Sequence, residues 1–193
     1  MDLRQRFFQY RSYSPVPFLL VMVVFAHPTM QSIGIGMGII LVGEFLRLWG
    51  VSIAGSETRT TGPVGGTFLI TRGPFAHVRN PLYVGNMLIY CGVGVMSMAL
   101  FPWLVIVAFA FFLVQYTLII SIEEEYLTKA FGDEYKRYMK SVPRLLPRIT
   151  PYASGENVQP DLDWARGIVS EKSTLLAIVT VTVIVVARMM FAA

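Results

Sequence analysis

The chain has 193 residues, of which 54% are hydrophobic and only 15% charged. Water-soluble domains carry about 25% charged residues, so this composition excludes a surface that faces water throughout, and the length suits a single domain. The net charge of +4 would suit nucleic acid, but its distribution along the chain points to a membrane surface instead.

Residues 12–43 contain no Asp, Glu, Lys or Arg, and apolar sequence continues to 54 with only Glu44 and Arg47 charged. A spanning helix needs roughly 20 apolar residues. Two spans are therefore expected, at about 13–31 and 33–54, turning at the proline-containing stretch His27-Pro28-Thr29-Met30-Gln31-Ser32. Glu44 and Arg47 stand three apart and can pair along one helix face. Gly34, Gly36, Gly38 and Gly43 would let helices approach closely. A second charge-free stretch, 80–122, holds two more spans at about 81–100 and 102–122, with Phe101-Pro102 at the turn. A fifth span is expected at 173–193. The expected fold is an all-α integral membrane protein with five transmembrane helices, one domain over 1–193. No cleavable signal peptide is expected, because the first apolar run leads into further apolar sequence. The lone Cys91 lies in an apolar run and reads as a small buried hydrophobe.

The basic residues orient these spans. Arg4, Arg6 and Arg11 precede the first. Arg59, Arg72 and Arg79 lie between the second and third. Lys129, Lys136, Arg137, Lys140, Arg144, Arg148, Arg166 and Lys172 lie between the fourth and fifth. All fall on one side of a five-span chain, whereas the opposite turns carry no Lys or Arg. By the positive-inside rule that side is cytoplasmic, and its charge meets lipid head groups rather than nucleic acid.

Two cytoplasmic segments result, about 55–80 and 123–172. In the first, 55–66 is polar and glycine-rich, and 67–71 has strand-forming residues suited to a short hairpin or extended cap. Asn80 suits the cap, and Pro81 the first turn, of the third span. In the second, apolar residues recur at helical spacing from Ile122 to Met139, with Gly132 ending one helix and Asp133 opening another. Glu123, Glu124 and Glu125 gain nothing from anionic lipid and fit a cationic ligand better. Residues 141–148 are stiffened by prolines, and 150–171 read as a polar loop with Trp164 at the interface.

These residues carry a resemblance. Arg79-Asn-Pro-Leu-Tyr-Val-Gly85 is similar to the Arg-His-Pro-x-Tyr-x-Gly motif of isoprenylcysteine carboxyl methyltransferases and their phospholipid methyltransferase relatives. Glu123-Glu124-x-x-Leu127 followed by Phe131-Gly132-x-x-Tyr135-x-x-Tyr138 resembles the second half of that signature, and 142–147 the stretch after it. The motifs cover about 72–148. One departure is Asn80, where the family has His; Asn still donates and accepts hydrogen bonds.

The resemblance implies methyl transfer from S-adenosylmethionine to the C-terminal carboxylate of a prenylated cysteine, leaving S-adenosylhomocysteine. It implies cofactor contacts from His77, Asn80, Pro81, Leu82, Tyr83, Gly85, Glu123, Glu124, Tyr135, Tyr138 and Leu145. Arg79, Arg137 and Arg144 are its candidates to meet the acceptor carboxylate, in no order. The implied partners are a prenylated or other lipid-like substrate and membrane lipid, without metal. A carboxylate is ionised near neutral pH and needs no general base. Rival readings are a phospholipid or other lipid N- or O-methyltransferase, a sterol-type reductase, and a small transporter or scaffold; the nearly uncharged spans argue against a transport path.

Overall fold

The computed structural model describes residues 2–55, 69–153 and 159–191. Regular structure among them is helical: α1 (Leu3–Tyr10), α2 (Pro15–Val24), α3 (Met30–Ala54), a 3-10 turn at Gly73–Ala76, α4 (Pro81–Ser97), α5 (Trp103–Ser141) and α6 (Trp164–Phe191). Helices α3, α5 and α6 are long and apolar enough to cross a membrane. The other two expected spans are shorter, with ten residues in α2 and 17 in α4. Pro28 disfavours helical conformation at His27, and α2 closes just before it, at Val24.

Two boundaries moved for identifiable reasons. The span expected at 102–122 runs on through the acidic triplet as one helix, broken only at Gly132, whose φ of 55° and ψ of −126° leave the helical region. Glycine adopts that conformation without the steric cost other residues meet. The last helix begins at Trp164 rather than 173. Asp163 caps it by accepting from the Arg166 amide at 3.0 Å, and Glu171, read as a loop acid, is fully buried with Arg47 donating to it at 2.7 Å.

The fold divides into two compact units. Met1–Glu44, Gly85–Ile119 and Ser173–Ala193 form one; Phe45–Val84 and Ile120–Lys172 form the other. The first is packed around Phe112, whose ring meets Phe18 at 5.4 Å and Tyr90 at 4.4 Å, with Met22, Ile40 and Met96 wholly buried. Its glycines divide by use. A methyl group on Gly36 would lie 2.6 Å from the Gly92 carbonyl oxygen, and one on Gly43 2.7 Å from that of Gly85. Helices α3 and α4 therefore meet backbone to backbone, as small residues permit in lipid. Gly34 and Gly38 face open space. Leu20, Leu41, Val42, Val114, Leu176 and Val183 are exposed, an outer surface suited to hydrocarbon rather than water.

The second unit has a core of Leu69, Tyr135, Tyr138 and Val142, with Tyr152 packed against it. Gln159 ties residues 69–71 down with its side-chain amide: its Oε1 accepts from the Thr71 amide and its Nε2 donates to the Leu69 carbonyl. Residues 56–68, which hold most of the expected hairpin and Arg59, lie outside the described residues. Helices α3 and α6 cross closely here: the Asp163 amide donates to the Ser52 carbonyl at 2.9 Å, and a methyl group on Gly167 would strike the Ser52 hydroxyl.

Candidate active site

The site is built where the apolar run of α5 ends and that of α4 begins. The Asn80 carbonyl accepts the first helical bond of α4, from the Val84 amide. One turn later Tyr83 donates its hydroxyl to Glu123 Oε1 at 2.7 Å. Glu123 and Glu124 are consecutive on α5, so their side chains diverge by about 100° around the helix. Glu124 accordingly meets a different set of partners. Arg79 donates to it from Nε at 3.2 Å and Nη2 at 2.7 Å. Arg144 donates from Nε at 3.2 Å and also from Nη2.

The two arginines are not equivalent. Arg79 is 11% exposed and also donates through Nη1 to the carbonyls of Met139 and Val142, at 2.9 and 2.6 Å. Its guanidinium is spent on holding the end of α5 and the residues after it. Arg144 is 37% exposed and borders a cavity of about 360 Å³ lined also by Ser121, Glu124, Glu125, Thr128 and Lys129. Arg137 is exposed on the last turns of α5.

Residues 142–152 form a strap laced to the start of the site. The Arg79 amide donates to the Pro143 carbonyl, the Arg148 amide to that of His77, and the Tyr152 amide to that of Ala76, each at 2.9 Å. Asn80 Nδ2 donates to the Arg144 carbonyl at 3.0 Å. His77 Nδ1 lies 2.9 Å from the Arg148 carbonyl; a carbonyl only accepts, so this nitrogen is the donor. His77 thus holds the strap by side chain and backbone together, and Asn80 by its side chain.

Tyr135 and Tyr138 are 2% and 3% exposed. Tyr138 donates its hydroxyl to the Phe75 carbonyl at 2.7 Å, and its ring packs on Tyr135 and Tyr152. Burial raises the pKa of both phenols well above their ordinary range, with the Glu124 charge adding to the effect at Tyr135 and the neighbouring Tyr135 at Tyr138. They stay protonated at neutral pH. Pro81 is buried, and Leu82 packs where α3 passes at Gly50. Gly85 meets Gly43 in the helix crossing. Leu145 is half-buried. Sequence reasoning missed the carbonyls of Met139 and Val142 and the role of Gln159: a carbonyl leaves no mark in sequence, and Gln159 stands in an ordinary polar stretch. No group of three or more His, Cys, Asp or Glu suited to a metal occurs among the described residues.

The model of the phospholipid methyltransferase family matches residues 31–134. The chain belongs to that family. The match includes the Arg79–Gly85 motif and the Glu123-Glu124 pair but stops before the strap. Over 148 residues the chain is 32% identical to the cobalt-zinc-cadmium resistance protein CzcN of Cupriavidus metallidurans, covering 71% of this chain and 62% of the relative. Over 122 residues it is 34% identical to a methanethiol S-methyltransferase of Pseudomonas deceptionensis, covering 60% and 43%. Over 121 residues it is 32% identical to the protein-S-isoprenylcysteine O-methyltransferase of Schizosaccharomyces pombe, covering 58% and 48%. The chain therefore spans between 43% and 62% of the length of these three relatives.

Proposed function

We propose that the protein is a membrane methyltransferase that uses S-adenosylmethionine to esterify the carboxylate of a prenylated cysteine. The observation that carries this reading is the division of labour at Glu124. Arg79 is consumed by structural bonds, whereas Arg144 shares the same carboxylate and keeps an exposed side on the cavity. An anionic acceptor fits a guanidinium in that position. The two nearby phenols are held protonated and cannot serve as bases, which suits an acceptor already ionised at neutral pH and suits an amine less.

The residues fit the cofactor. Glu124 is committed to two guanidiniums, so Glu123, beside the Tyr83 hydroxyl, is the carboxylate better placed for a cationic group. Tyr83 presents a ring that can face a sulfonium. Bound S-adenosylmethionine supplies an electrophilic methyl group, and its transfer to a carboxylate oxygen neutralises both charges with no proton to move. The chain's part is to hold the acceptor in line and exclude water, which can lower a barrier by roughly 7–11 kcal/mol in well-aligned cases. Arg144 orients the acceptor; Arg79, His77, Asn80 and Tyr138 fix the strap that carries Arg144.

The same reading completes the membrane layout. Helix α4 is about 25 Å long and α2 about 15 Å at 1.5 Å per residue. On this reading they are the remaining two of five crossings, with the turns at 25–29 and 98–102 at their far ends. The Arg-rich segments around 72–79 and 129–172 then face the cytoplasm.

Purified protein given methyl-labelled S-adenosylmethionine and an S-farnesylcysteine derivative should yield a base-labile methyl ester, and Arg144→Gln should raise KM for that acceptor more than for the cofactor. Label transferred instead to phosphatidylethanolamine would favour lipid N-methylation. Absence of cofactor binding by calorimetry would sink both.

A further inference from the structure

The strap carries two apolar side chains that the site leaves unused. Leu146 is 80% exposed and Ile149 is 95% exposed. Both belong to a stretch without acids: between Glu134 and Glu156 the charged residues are Lys136, Arg137, Lys140, Arg144 and Arg148, all basic. Arg148 is turned back along the chain, donating to the Ser141 carbonyl and the Thr150 hydroxyl. The strap therefore has apolar tips beside a basic rim.

Its depth follows from its partners. The charge-free run of α5 ends at Ile122, and Glu124 lies just past it; the run of α4 begins at Pro81, just past Asn80. Arg144 is bonded to both boundary residues, through its guanidinium to Glu124 and through its carbonyl to Asn80. The strap is thus tied at the level where hydrocarbon gives way to head groups. Exposed Leu and Ile at that level, next to basic residues, have the composition of segments that lie in the interface.

We infer that Leu146 and Ile149 insert into the head-group and acyl boundary of the bilayer, making the strap a second, peripheral membrane contact. The occupant of this apolar surface is lipid, anionic by preference because of the basic rim. The inference rests on the membrane reading of α5.

The test uses the full chain in nanodiscs containing phosphatidylglycerol, with Cys91→Ser removing the single cysteine. Spin labels go on single cysteines at Leu146, Ile149, Val114 and Lys136. Val114 is exposed on the apolar part of α5 and Lys136 exposed on its polar part. Labels at 146 and 149 should collide more with oxygen than with a water-soluble nickel chelate, as the label at 114 should, and the label at 136 should show the reverse. Replacing phosphatidylglycerol by phosphatidylcholine should lower the oxygen preference at 146 and 149 and leave 114 unchanged. A nickel preference at 146 and 149 with an oxygen preference at 114 overturns the inference alone. Labels shielded from both reagents mean a protein partner covers the strap, and also overturn it. A nickel preference at 114 overturns the membrane reading together with the inference.

Discussion

The two adjacent acids should part company on substitution. Glu124 accepts from Arg79 and Arg144 and is 9% exposed. Glu124→Gln keeps the shape, removes the charge and turns an amide N–H toward a guanidinium. Breaking a buried ion pair costs about 3–5 kcal/mol. Arg144 is more than one-third exposed, so its share is screened by solvent, and the loss falls mainly on Arg79, for a total of about 3 kcal/mol. In a chain of this size 1 kcal/mol moves Tm by roughly 2–4 °C, so a drop of about 6–12 °C is expected. Glu123→Gln should differ. Its amide oxygen still accepts from Tyr83, so the cost is about 1 kcal/mol or less and the shift under about 4 °C. Losing a charge-assisted contact of about 1.5–3 kcal/mol would instead weaken S-adenosylmethionine binding roughly 10- to 150-fold. Unfolding in detergent can be followed with a thiol-reactive dye on Cys91, half-buried in α4, and cofactor affinity by calorimetry. Equal Tm shifts for the two variants, or intact cofactor binding by Glu123→Gln, would refute the assignment.

Three further outcomes follow from the geometry. Gly92→Val should lower Tm and disturb the crossing, since a methyl group there would lie 2.8 Å from the Gly36 carbonyl oxygen and overpacking costs about 1–3 kcal/mol. Gly38→Ala meets nothing within 4 Å and should leave Tm unchanged or raised, by up to about 1 kcal/mol of helix propensity; a loss at Gly38 equal to that at Gly92 would contradict the packing. The buried phenols predict an alkaline transition. Tyr138 has a folded pKa above the ordinary value of 10.0, so its stabilising contribution is complete below pH 10.0 and declines as pH rises beyond it, by up to about 1.4 kcal/mol per unit. Tyr138→Phe should flatten that decline in Tm measurements between pH 9 and 11.5, and an unchanged slope would refute the assignment.

The parts legible in the sequence were those set by local composition. Lengths of uncharged sequence mark helices that can cross a bilayer, because each helix satisfies its own backbone there. The break at Gly132 was visible because a glycine interrupts a helical pattern. The start of α6 was not, because Arg166, Glu171 and Lys172 read as loop until Arg47 hides the Glu171 charge.

The motif residues were likewise recognisable as a set, while their individual jobs depended on partners distant in the chain. Glu123 and Glu124 are chemically identical neighbours, and only a 100° turn of the helix gives one a phenol and the other two guanidiniums. Arg79, Arg137 and Arg144 stood as equal candidates in the sequence; their surroundings differ in the fold, where Arg79 donates to the carbonyls of Met139 and Val142. Tyr135 and Tyr138 looked like ligand-facing rings and lie in the core of the second unit. The sequence by itself determined a charge-poor helical protein and the motif residues of its family, because hydrophobic length and residue type are local properties. Which acid meets the two arginines, which arginine stays exposed and where the strap lies were decided only by tertiary contacts, because a hydrogen bond between residues far apart in the chain depends on direction and distance in space.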